Sequence, residues 1–532
     1  MIGSIRLKRL DIFGTSISDT TKVPKGPSKT FNQLHVKTHR RIIYNNLSID
    51  EKELIQAQEL ADNERILRRL PFIKDARILI GESNNGPGLR TTVITRDVFP
   101  LRFDINPSDI ADTRFGISTI NLFGTGHELE SDIILNDRGD RKIGHDTYLI
   151  IRNIAGSFIT ASLNRANSFS KEGTGVSFLR EFYTPNTLYA GGAELSRYTI
   201  RDLRLRNGQI LSPLTEIDSA FVVSRTRNTQ DLWVGRAYKG NNLPAFLDLK
   251  RWRIVAAARI NRVNFTDRPE ATATENEIFH DRTRLLFSVG LSSRNYYKDV
   301  LVNFFGRTED IPAGSLIQLT GGYEYGEFRN RPYLGLRLTK GDFIGNIGYV
   351  RGELNTGGFF NKGRFELGVV QTKVGYFTRL FTYRFLKIRH FLDIQYTAGI
   401  RRDDLEIIDL DDRQGIRGFS SIQLSGTRRF LMKQESVFFT PLYIAGFRVA
   451  TFTFFDLGFL NGTQFSGKLY SALGFGVRLR NENLAFNTIQ LRFAYYPSPP
   501  IDMDDYGFTF STKIAVPVED FDLKEPDVVQ FR

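Results

Sequence analysis

The chain has 532 residues and a formal net charge of +13, so it is long enough for several domains or for one large closed sheet. Lysine and arginine are scattered among acidic residues without a basic tail or stripe, which argues against a nucleic-acid partner and favours contacts with anionic lipid headgroups. No stretch approaches the roughly 18 consecutive apolar residues of a membrane-spanning helix, so if this protein crosses a bilayer it must do so as a barrel.

Residues 1–104 are predicted to form a small α+β domain. Spaced apolar residues indicate an opening strand, and two segments rich in Glu, Leu, Arg and Ala, 38–47 and 51–70, are predicted helices. Pro71 ends the second helix, and two further strands form a hairpin around the turn residues 83–88. The predicted order is therefore strand, helix, helix, strand, strand.

Residues 105–516 alternate apolar and polar side chains in one segment after another. In 486–496, for example, one face holds Ile489, Leu491, Phe493 and Tyr495, and the other holds Thr488, Gln490, Arg492 and Ala494. At roughly 25 residues per strand with its connection, the region predicts an all-β transmembrane barrel of about 16 antiparallel strands. A soluble two-sheet protein also alternates, but it would need an unusually large sheet and would gain nothing from so many exposed aromatics.

A barrel closes by pairing its first strand with its last, which we assign to 114–122 and 506–514. In the last strand, alternation directs the aromatic residues toward lipid. Gly507 shortens the apolar contact there, and Thr512 places a polar group on the lipid-facing side, so both are predicted to weaken the seam. The predicted seam residues are Gly116, Ile120, Phe508, Phe510 and Thr512.

The segment 517–532 is an acidic C-terminal tail that follows the last predicted strand. Its acidic residues are Glu519, Asp520, Asp522, Glu525 and Asp527. The sequence leaves two interpretations open for this tail, a solvated extension and a docking strand.

Gly415-Ile416-Arg417-Gly418-Phe419 interrupts the series of strands with an arginine that an apolar surface would not accommodate. Taken alone, the five residues are equally typical of an ordinary turn, because glycine on each side supplies positive φ. Three other segments change this interpretation: 67–76 (LRRLPFIKDA), 121–126 (NLFGTG) and 454–458 (FFDLG).

In this order, the four segments resemble the BamA/TamA outer-membrane assembly-factor superfamily over nearly the whole chain. Residues 67–76 look like the end of the second helix and the start of the next strand in a POTRA domain, the periplasmic module of that superfamily. Residues 121–126 are similar to its first barrel hairpin, 415–419 to its Arg-Gly-aromatic loop, and 454–458 to its aromatic-Asp-x-Gly strand motif. The ordered combination is far more specific than any one segment.

The resemblance implies that the loop carrying Arg417 folds back into the barrel lumen and meets acids on neighbouring strand faces. Matched residue by residue, the aspartate is Asp456, and Glu435 on the intervening strand is the second acid. Gly418 and Phe419 complete the loop motif. A guanidinium presents a rigid fork of donors that suits carboxylates, and shielding in a lumen strengthens such a contact. For Glu435 alone, a solvated strand charge is the alternative.

The resemblance also implies a place in the cell and a function. The chain is expected in the outer membrane of a Gram-negative-type (diderm) bacterium, with the POTRA-like domain in the periplasm. It would insert or translocate polypeptides through a barrel with a lateral seam. Its implied partners are unfolded outer-membrane or exported polypeptides, outer-membrane lipids and accessory assembly subunits. A polypeptide secretion pore and a passive porin or nutrient channel are the alternatives.

The sequence does not indicate enzymatic chemistry. His35 and His39 are four residues apart without an acidic neighbour that would complete a zinc motif, so we expect a solvated helix face and predict no metal and no cofactor. There is no nucleophile elbow and no phosphate-binding loop. The absence of cysteine is compatible with an envelope protein that needs no disulfides.

Two features depart from the pattern of the superfamily. One POTRA-like domain is visible where the main assembly factors carry several, so we expect a different handoff of clients or a specialised role. No charged start followed by an apolar core precedes the first strand. Because an exported barrel needs a signal peptide, we expect the numbered chain to lack its natural beginning.

Overall fold

The computed structural model describes residues 1–82, 88–106, 112–136, 142–183, 187–206, 209–211, 221–239, 252–402, 406–412, 414–421, 424–444, 446–461, 467–485, 488–511 and 519–531. The chain divides into two compact units. Unit 1 consists of Met1–Asn186, Phe304–Asp310 and Asn481–Phe486, and unit 2 of Thr187–Asn303, Ile311–Arg480 and Asn487–Arg532. Within the described ranges, no helix combines the length and the apolar character that crossing a membrane requires.

Unit 1 begins with an α+β domain. Its elements are β1 (Ile2–Leu10), α1 (Pro27–Gln33), α2 (Arg40–Asn45), α3 (Ala57–Arg69), β2 (Ile73–Glu82) and β3 (Leu89–Asp97). The sheet order is β1-β3-β2, with β1 parallel and β2 antiparallel to β3. The predicted order is confirmed, with the short α1 as an addition, and α3 ends where Pro71 was expected to stop it.

The rest of unit 1 is an antiparallel sheet in chain order. Its strands are β4 (Leu101–Asn106), β5 (Asp112–Thr119), β6 (Glu128–Asn136), β7 (Ile143–Ile151), β8 (Thr160–Asn167) and β9 (Lys171–Arg180). Turns of 3-10 helix, Leu122–Gly124 and Ile154–Gly156, follow β5 and β7. The predicted domain boundary at residue 104 falls inside β4.

The position of β4 corrects the predicted first strand of the barrel. The predicted segment 114–122 is β5, which pairs with β4 on one side and β6 on the other. Gly116 therefore lies in an interior strand of this sheet, and Ile120 follows the strand and packs into the core of the α+β domain. Sequence reasoning missed β4 because its alternation spans only six residues, which lie across the predicted boundary between the α+β domain and the barrel.

The α+β domain is held to the other parts of unit 1 by specific contacts. Arg68 of α3 forms a bidentate ion pair with Asp310, in which Nε donates to Oδ2 at 2.8 Å and Nη2 donates to Oδ1 at 2.7 Å. The side chain of Asn121 donates to Thr38 Oγ1 at 2.9 Å, and Gly124 O accepts from the backbone N–H of His39. The predicted hairpin motif at 121–126 thus packs directly against this domain.

Unit 2 is a larger antiparallel sheet. Its strands are β10 (Tyr189–Arg206), β11 (Gln209–Leu211), β12 (Phe221–Lys239), β13 (Arg253–Asp267), β14 (Arg282–Asp299), β15 (Glu309–Gly326), β16 (Asn330–Ile344), β17 (Gly348–Asn361), β18 (Arg364–Thr378), β19 (Phe381–Tyr383), β20 (Leu386–Ile400), β21 (Ile408–Asp409), β22 (Ser425–Gly426), β23 (Arg428–Ile444), β24 (Phe447–Asn461), β25 (Lys468–Arg480), β26 (Ile489–Tyr495) and β27 (Tyr506–Ser511). Among the described strands, the short β21 and β22 pair only with each other, and a 3-10 turn, Glu277–Phe279, precedes β14.

The all-β class and the preceding α+β domain are confirmed, but the strand count is higher than predicted. The two units contain more antiparallel strands than the expected number of about 16. The reason lies in β5 to β9, which are only 8–10 residues long with short connections. The spacing of about 25 residues per strand, typical of longer barrel strands, therefore fails in that region.

The two faces of the unit 2 sheet have the reverse polarity of a soluble protein, because apolar side chains are exposed and charged side chains are buried. One face exposes large apolar residues, including Phe475 and Leu473 of β25 and Phe508 and Phe510 of β27. The opposite face buries charged residues: Glu324, Arg331, Arg389, Asp393, Glu435, Asp456 and Arg478. Period-two alternation along each strand produces this separation. Apolar surface of this extent needs an apolar environment to cover it.

Candidate functional site

The site is built around the connection between β20 and β23, where 415–419 forms a tight turn. The backbone N–H of Gly415 donates to Asp411 O at 2.6 Å, and that of Phe419 donates to Ile416 O at 3.1 Å. Gly418 has φ 80°, and a Cβ added there would lie 2.0 Å from Tyr496 Oη. Both the backbone conformation and the space therefore require glycine.

Arg417 points from this turn onto the polar face of β23 and β24. Its Nε and Nη2 donate to the carboxylate of Asp456 at 2.8 and 2.6 Å, and Nη1 donates to Glu435 Oε2 at 2.6 Å. Nη2 also donates to the carbonyl oxygen of Gln434 at 3.1 Å, and the backbone N–H of Arg417 donates to Asp456 Oδ2 at 2.9 Å. The exposed fractions of Arg417, Glu435 and Asp456 are 5%, 4% and 0%.

The strand register explains why both acids reach one guanidinium. Glu435 of β23 lies opposite Phe454 of β24, and Asp456 is two residues further along β24. Side chains two residues apart share a face, so Glu435 and Asp456 are diagonal neighbours across the strand pair. The planar fork of arginine suits this arrangement because it presents several donors in fixed directions.

A second arginine completes the charge balance. Arg478 of β25 donates from Nη1 and Nη2 to the two oxygens of Glu435, at 2.7 and 2.8 Å. Glu435 thus lies between two guanidinium groups, and the four side chains carry two positive and two negative charges. Burial by itself would lower the pKa of Arg417, but Asp456 and Glu435 raise the pKa above its ordinary value. The guanidinium of Arg417 therefore stays charged in this buried site and anchors the turn to β23 and β24.

One aromatic ring packs against each of the two guanidinium groups. The guanidinium carbon of Arg417 lies 4.3 Å from the ring centroid of Phe454, and that of Arg478 lies 4.2 Å from Phe452. The glycines opposite these rings on β25 make room for them, since a Cβ at Gly474 would lie 2.4 Å from Phe454. Cation–π contacts of this geometry add to the ion pairs.

The two apolar residues of the loop motif are buried on either side of Arg417. Ile416 packs against Gly458, where a Cβ would lie 2.8 Å from Ile416 Cδ1. The ring of Phe419 makes edge contacts with Tyr470 and Tyr496, at centroid distances of 5.9 and 5.3 Å. Gly458, the glycine of the FFDLG motif, therefore leaves the space into which Ile416 of the loop packs.

The loop also contacts the last strand through β26. Asp412 accepts from the backbone N–H of Gly418 at 2.8 Å and from Arg492 Nη2 at 3.1 Å. Arg492 in turn donates from Nε to Thr509 Oγ1 of β27 at 3.1 Å. A continuous polar path therefore runs from the turn to the last strand.

The structure brings Arg417, Glu435 and Asp456 together, and it places Gly418 and Phe419 in the packing around them. Glu435 is buried and paired on both oxygens, which is not the geometry of a solvated strand charge. Sequence reasoning missed Arg478, although its place on the polar face of a predicted strand was a signal. It also missed Tyr496, whose hydroxyl donates to Arg417 O at 3.3 Å and which no motif marked.

The other predicted site residues lie apart from this cluster. Phe508 and Phe510 are exposed on β27, and Thr512 falls outside the described residues. Gly116 and Ile120 belong to unit 1. The prediction of a solvated face for His35 is wrong: its side chain is buried and Nε2 lies 3.1 Å from Asp97 Oδ2. In the part of the chain that the structure describes, no group of His, Asp or Glu is arranged to hold a metal ion.

Comparison with solved structures finds 84 similar chains, among them one BamA structure and two CdiB structures. BamA from Haemophilus ducreyi lacking POTRA domains 1–3 aligns at 9% identity with a TM-score of 0.41, covering 96% of this chain and 84% of that chain. CdiB from Acinetobacter baumannii aligns at 12% identity with a TM-score of 0.36, covering 96% of this chain and 74% of that chain. CdiB from Escherichia coli aligns at 10% identity with a TM-score of 0.39, covering 96% of this chain and 76% of that chain. No family model and no curated protein matches the sequence.

Proposed function

We propose that the chain is an outer-membrane β-barrel protein of the BamA/TamA type that inserts or translocates other polypeptides without turnover of covalent bonds. The observation that carries the proposal is the buried anchor of Arg417 with Asp456 and Glu435. A channel wall needs no such device. A loop bound by ion pairs to the inner strand faces suits a barrel whose strands must be held in place until a client arrives.

The inverted faces of the sheet support the membrane location. Exposed Leu, Phe and Tyr side chains alternate with buried Arg, Glu and Asp along the strands of unit 2. In a transmembrane barrel the outward residues contact lipid and the inward residues line a polar interior. Because closure leaves no strand edge in the hydrocarbon, we propose that the strands close into a barrel.

The seam of this barrel is proposed between β4 and β27. It replaces the pairing of 114–122 with 506–514, since β5 already has two partners. The path from Asp412 through Arg492 to Thr509 connects the Arg417 loop to β27. We propose that anchoring the loop holds the last strand in place, and that release of the loop lets the seam open toward a client strand.

The α+β domain is proposed to receive clients in the periplasm. β2 is an end strand of its three-stranded sheet, and Leu79 and Ile80 on this strand are exposed. An extended polypeptide adds to such an edge through main-chain hydrogen bonds, which give affinity with little demand on sequence. This mode suits a domain that handles many unfolded chains before they reach the barrel.

Reconstitution in liposomes tests the function. The purified chain is incorporated into vesicles, an unfolded outer-membrane barrel protein is added, and its conversion to a folded, protease-resistant form is measured over time. We expect faster conversion than in empty vesicles. Large and steady ion conductance without client conversion would identify a passive channel, and release of an exported polypeptide across the vesicle membrane would identify a secretion pore.

A further inference from the structure

The segment 519–531, the described part of the acidic tail, lies against the polar face of unit 2. Side chains of the sheet hydrogen-bond to its backbone: Ser292 Oγ donates to Phe521 O at 2.7 Å, Val529 N donates to Tyr333 Oη at 2.8 Å, and Gln371 Nε2 donates to Gln530 O at 2.9 Å. These residues lie on β14, β16 and β18. The segment therefore crosses several strands and is neither a solvated extension nor an added strand of the sheet.

Opposite charges hold the acidic side chains of the segment. Asp522 pairs with Arg294, and Asp520 accepts from Tyr296 Oη at 2.7 Å. Arg259 donates to Pro526 O at 3.0 Å and lies 3.2 Å from Asp527. The segment carries five acidic residues and one lysine, and basic side chains of the sheet meet it at both ends. Such complementarity selects an acidic peptide over a basic one.

Three strand glycines form pockets for apolar side chains of the segment. An added Cβ at Gly341 would lie 2.9 Å from Phe521, one at Gly290 2.1 Å from Leu523, and one at Gly399 2.9 Å from Phe531. Phe521 is completely buried. Arg351 and Arg402 lie over the rings of Phe521 and Phe531, at 4.8 and 4.9 Å. The sheet is thus shaped for two aromatic anchors ten positions apart with an acidic stretch between them.

The surface that receives the segment extends beyond it. A cavity of about 630 Å³ lies beside residues 519–530, and the side chains of β15 to β20 that line it include the polar residues Gln318, Arg337, Lys373 and Asp393. The contacts to the segment backbone come from side chains and not from a strand ladder. A different extended chain with the same charge and anchor spacing can therefore use the same donors.

We propose that the polar face of β13 to β20 is a binding site for extended acidic polypeptide segments with aromatic anchors, and that residues 519–531 are its resident occupant. The proposal deepens the proposed function and rests on it for the identity of the ligand, which is a segment of a client polypeptide. A client segment competes with the resident segment for the same arginines and glycine pockets. Clients without acidic, aromatic segments leave the resident segment in place.

Competition by a free peptide tests the site. A fluorescein-labelled peptide with the sequence of residues 519–531 is titrated into the full chain in detergent, and anisotropy reports binding. The variant Phe521→Ala/Phe531→Ala weakens the resident segment and is expected to bind the peptide at least about tenfold more tightly than the parent chain, because its site is emptied more often. Lys524→Ala, at an exposed position of the same segment, is the matched control and should bind like the parent.

Two further variants keep the test decisive. Asp520→Asn/Asp522→Asn weakens the resident segment without removing apolar volume, so it replaces the first variant if that chain loses its compact gel mobility. Adding Arg351→Ala to either variant should reduce peptide binding again, and a peptide lacking both phenylalanines should bind poorly. Affinities equal to the parent in every compact variant would overturn the site.

Client insertion, measured on the same preparations, separates this proposal from the proposed function. Peptide binding without any client conversion in liposomes would overturn the proposed function and leave an acidic-peptide site. Client conversion without peptide binding would overturn the site alone. Conversion that becomes faster in the variants with a weakened segment, and is inhibited by free peptide, is the result expected when both proposals hold.

Discussion

Replacing Arg417 by alanine is the sharpest test of the anchored loop. The change removes every side-chain contact from the loop to Asp456, which is completely buried, while Glu435 keeps Arg478 as its partner. Removing one partner of a buried pair costs about 3–5 kcal/mol because a charge is left uncompensated. Asp456 still accepts the backbone N–H of residue 417, so we expect the lower limit, about 3 kcal/mol.

The loop can detach and let water reach Asp456, so the cost should appear as local release before it appears as global unfolding. About 3 kcal/mol corresponds to a shift of roughly 100-fold in the equilibrium between anchored and released loop. Amide hydrogen exchange of 415–419 should accelerate by that factor. Client conversion in liposomes should slow, because a loop that is released before a client arrives no longer holds the last strand in place for it. Arg428→Ala, at an exposed position on the neighbouring β23, is the matched control and should change neither.

A double variant identifies Asp456 as the group through which Arg417 acts. In Arg417→Ala/Asp456→Asn the buried charge is removed together with its partner, so the double change should cost less than the sum of the single changes. Parent-like exchange of 415–419 and parent-like client conversion in Arg417→Ala would refute the reasoning.

Three further predictions follow from other parts of the structure. Gly418→Ala should release the loop as Arg417→Ala does, because its Cβ meets Tyr496, and limited proteolysis of the loop reports the effect. Cysteines scanned along 101–103 and 508–510 should include a pair that oxidises readily and stops client conversion until it is reduced; conversion that survives a verified crosslink removes seam opening from the mechanism. Deleting residues 1–98, which spares β4, should leave the heat-resistant compact mobility of the barrel on gels but abolish client conversion, whereas full conversion by the truncated chain would contradict the receiving role.

The loop and its two acids were predictable because a motif fixes the residue types and their order along the chain. The register that makes Glu435 and Asp456 diagonal neighbours follows from alternation once β23 and β24 are paired. Arg478 and Tyr496 were not predictable in the same way. Each lies on a strand that resembles many others, and only the pairing of β24, β25 and β26 brings it to the loop.

The first strand and the acidic tail show different limits of the sequence. β4 has six residues and a weak alternation, so its existence depends on pairing with β5 and not on its own pattern. The tail has no periodicity that reveals its binding surface. Its partners are single residues on separate strands, such as Gly341 and Gly399, and only the folded sheet brings them close to one another.

The buried charges of the polar face also favour the correct strand register during folding. A slip of β24 by one residue would carry Asp456 to the apolar face and turn Phe455 and Leu457 inward. A charged residue on the lipid face is destabilising, by about 2–4 kcal/mol for Arg or Lys at the bilayer midplane and by less for an acidic residue, and the slip would also separate Asp456 from Arg417. A misaligned barrel is therefore penalised twice, so the ion pairs that anchor the loop also select the one alignment of these strands in which the loop can be anchored.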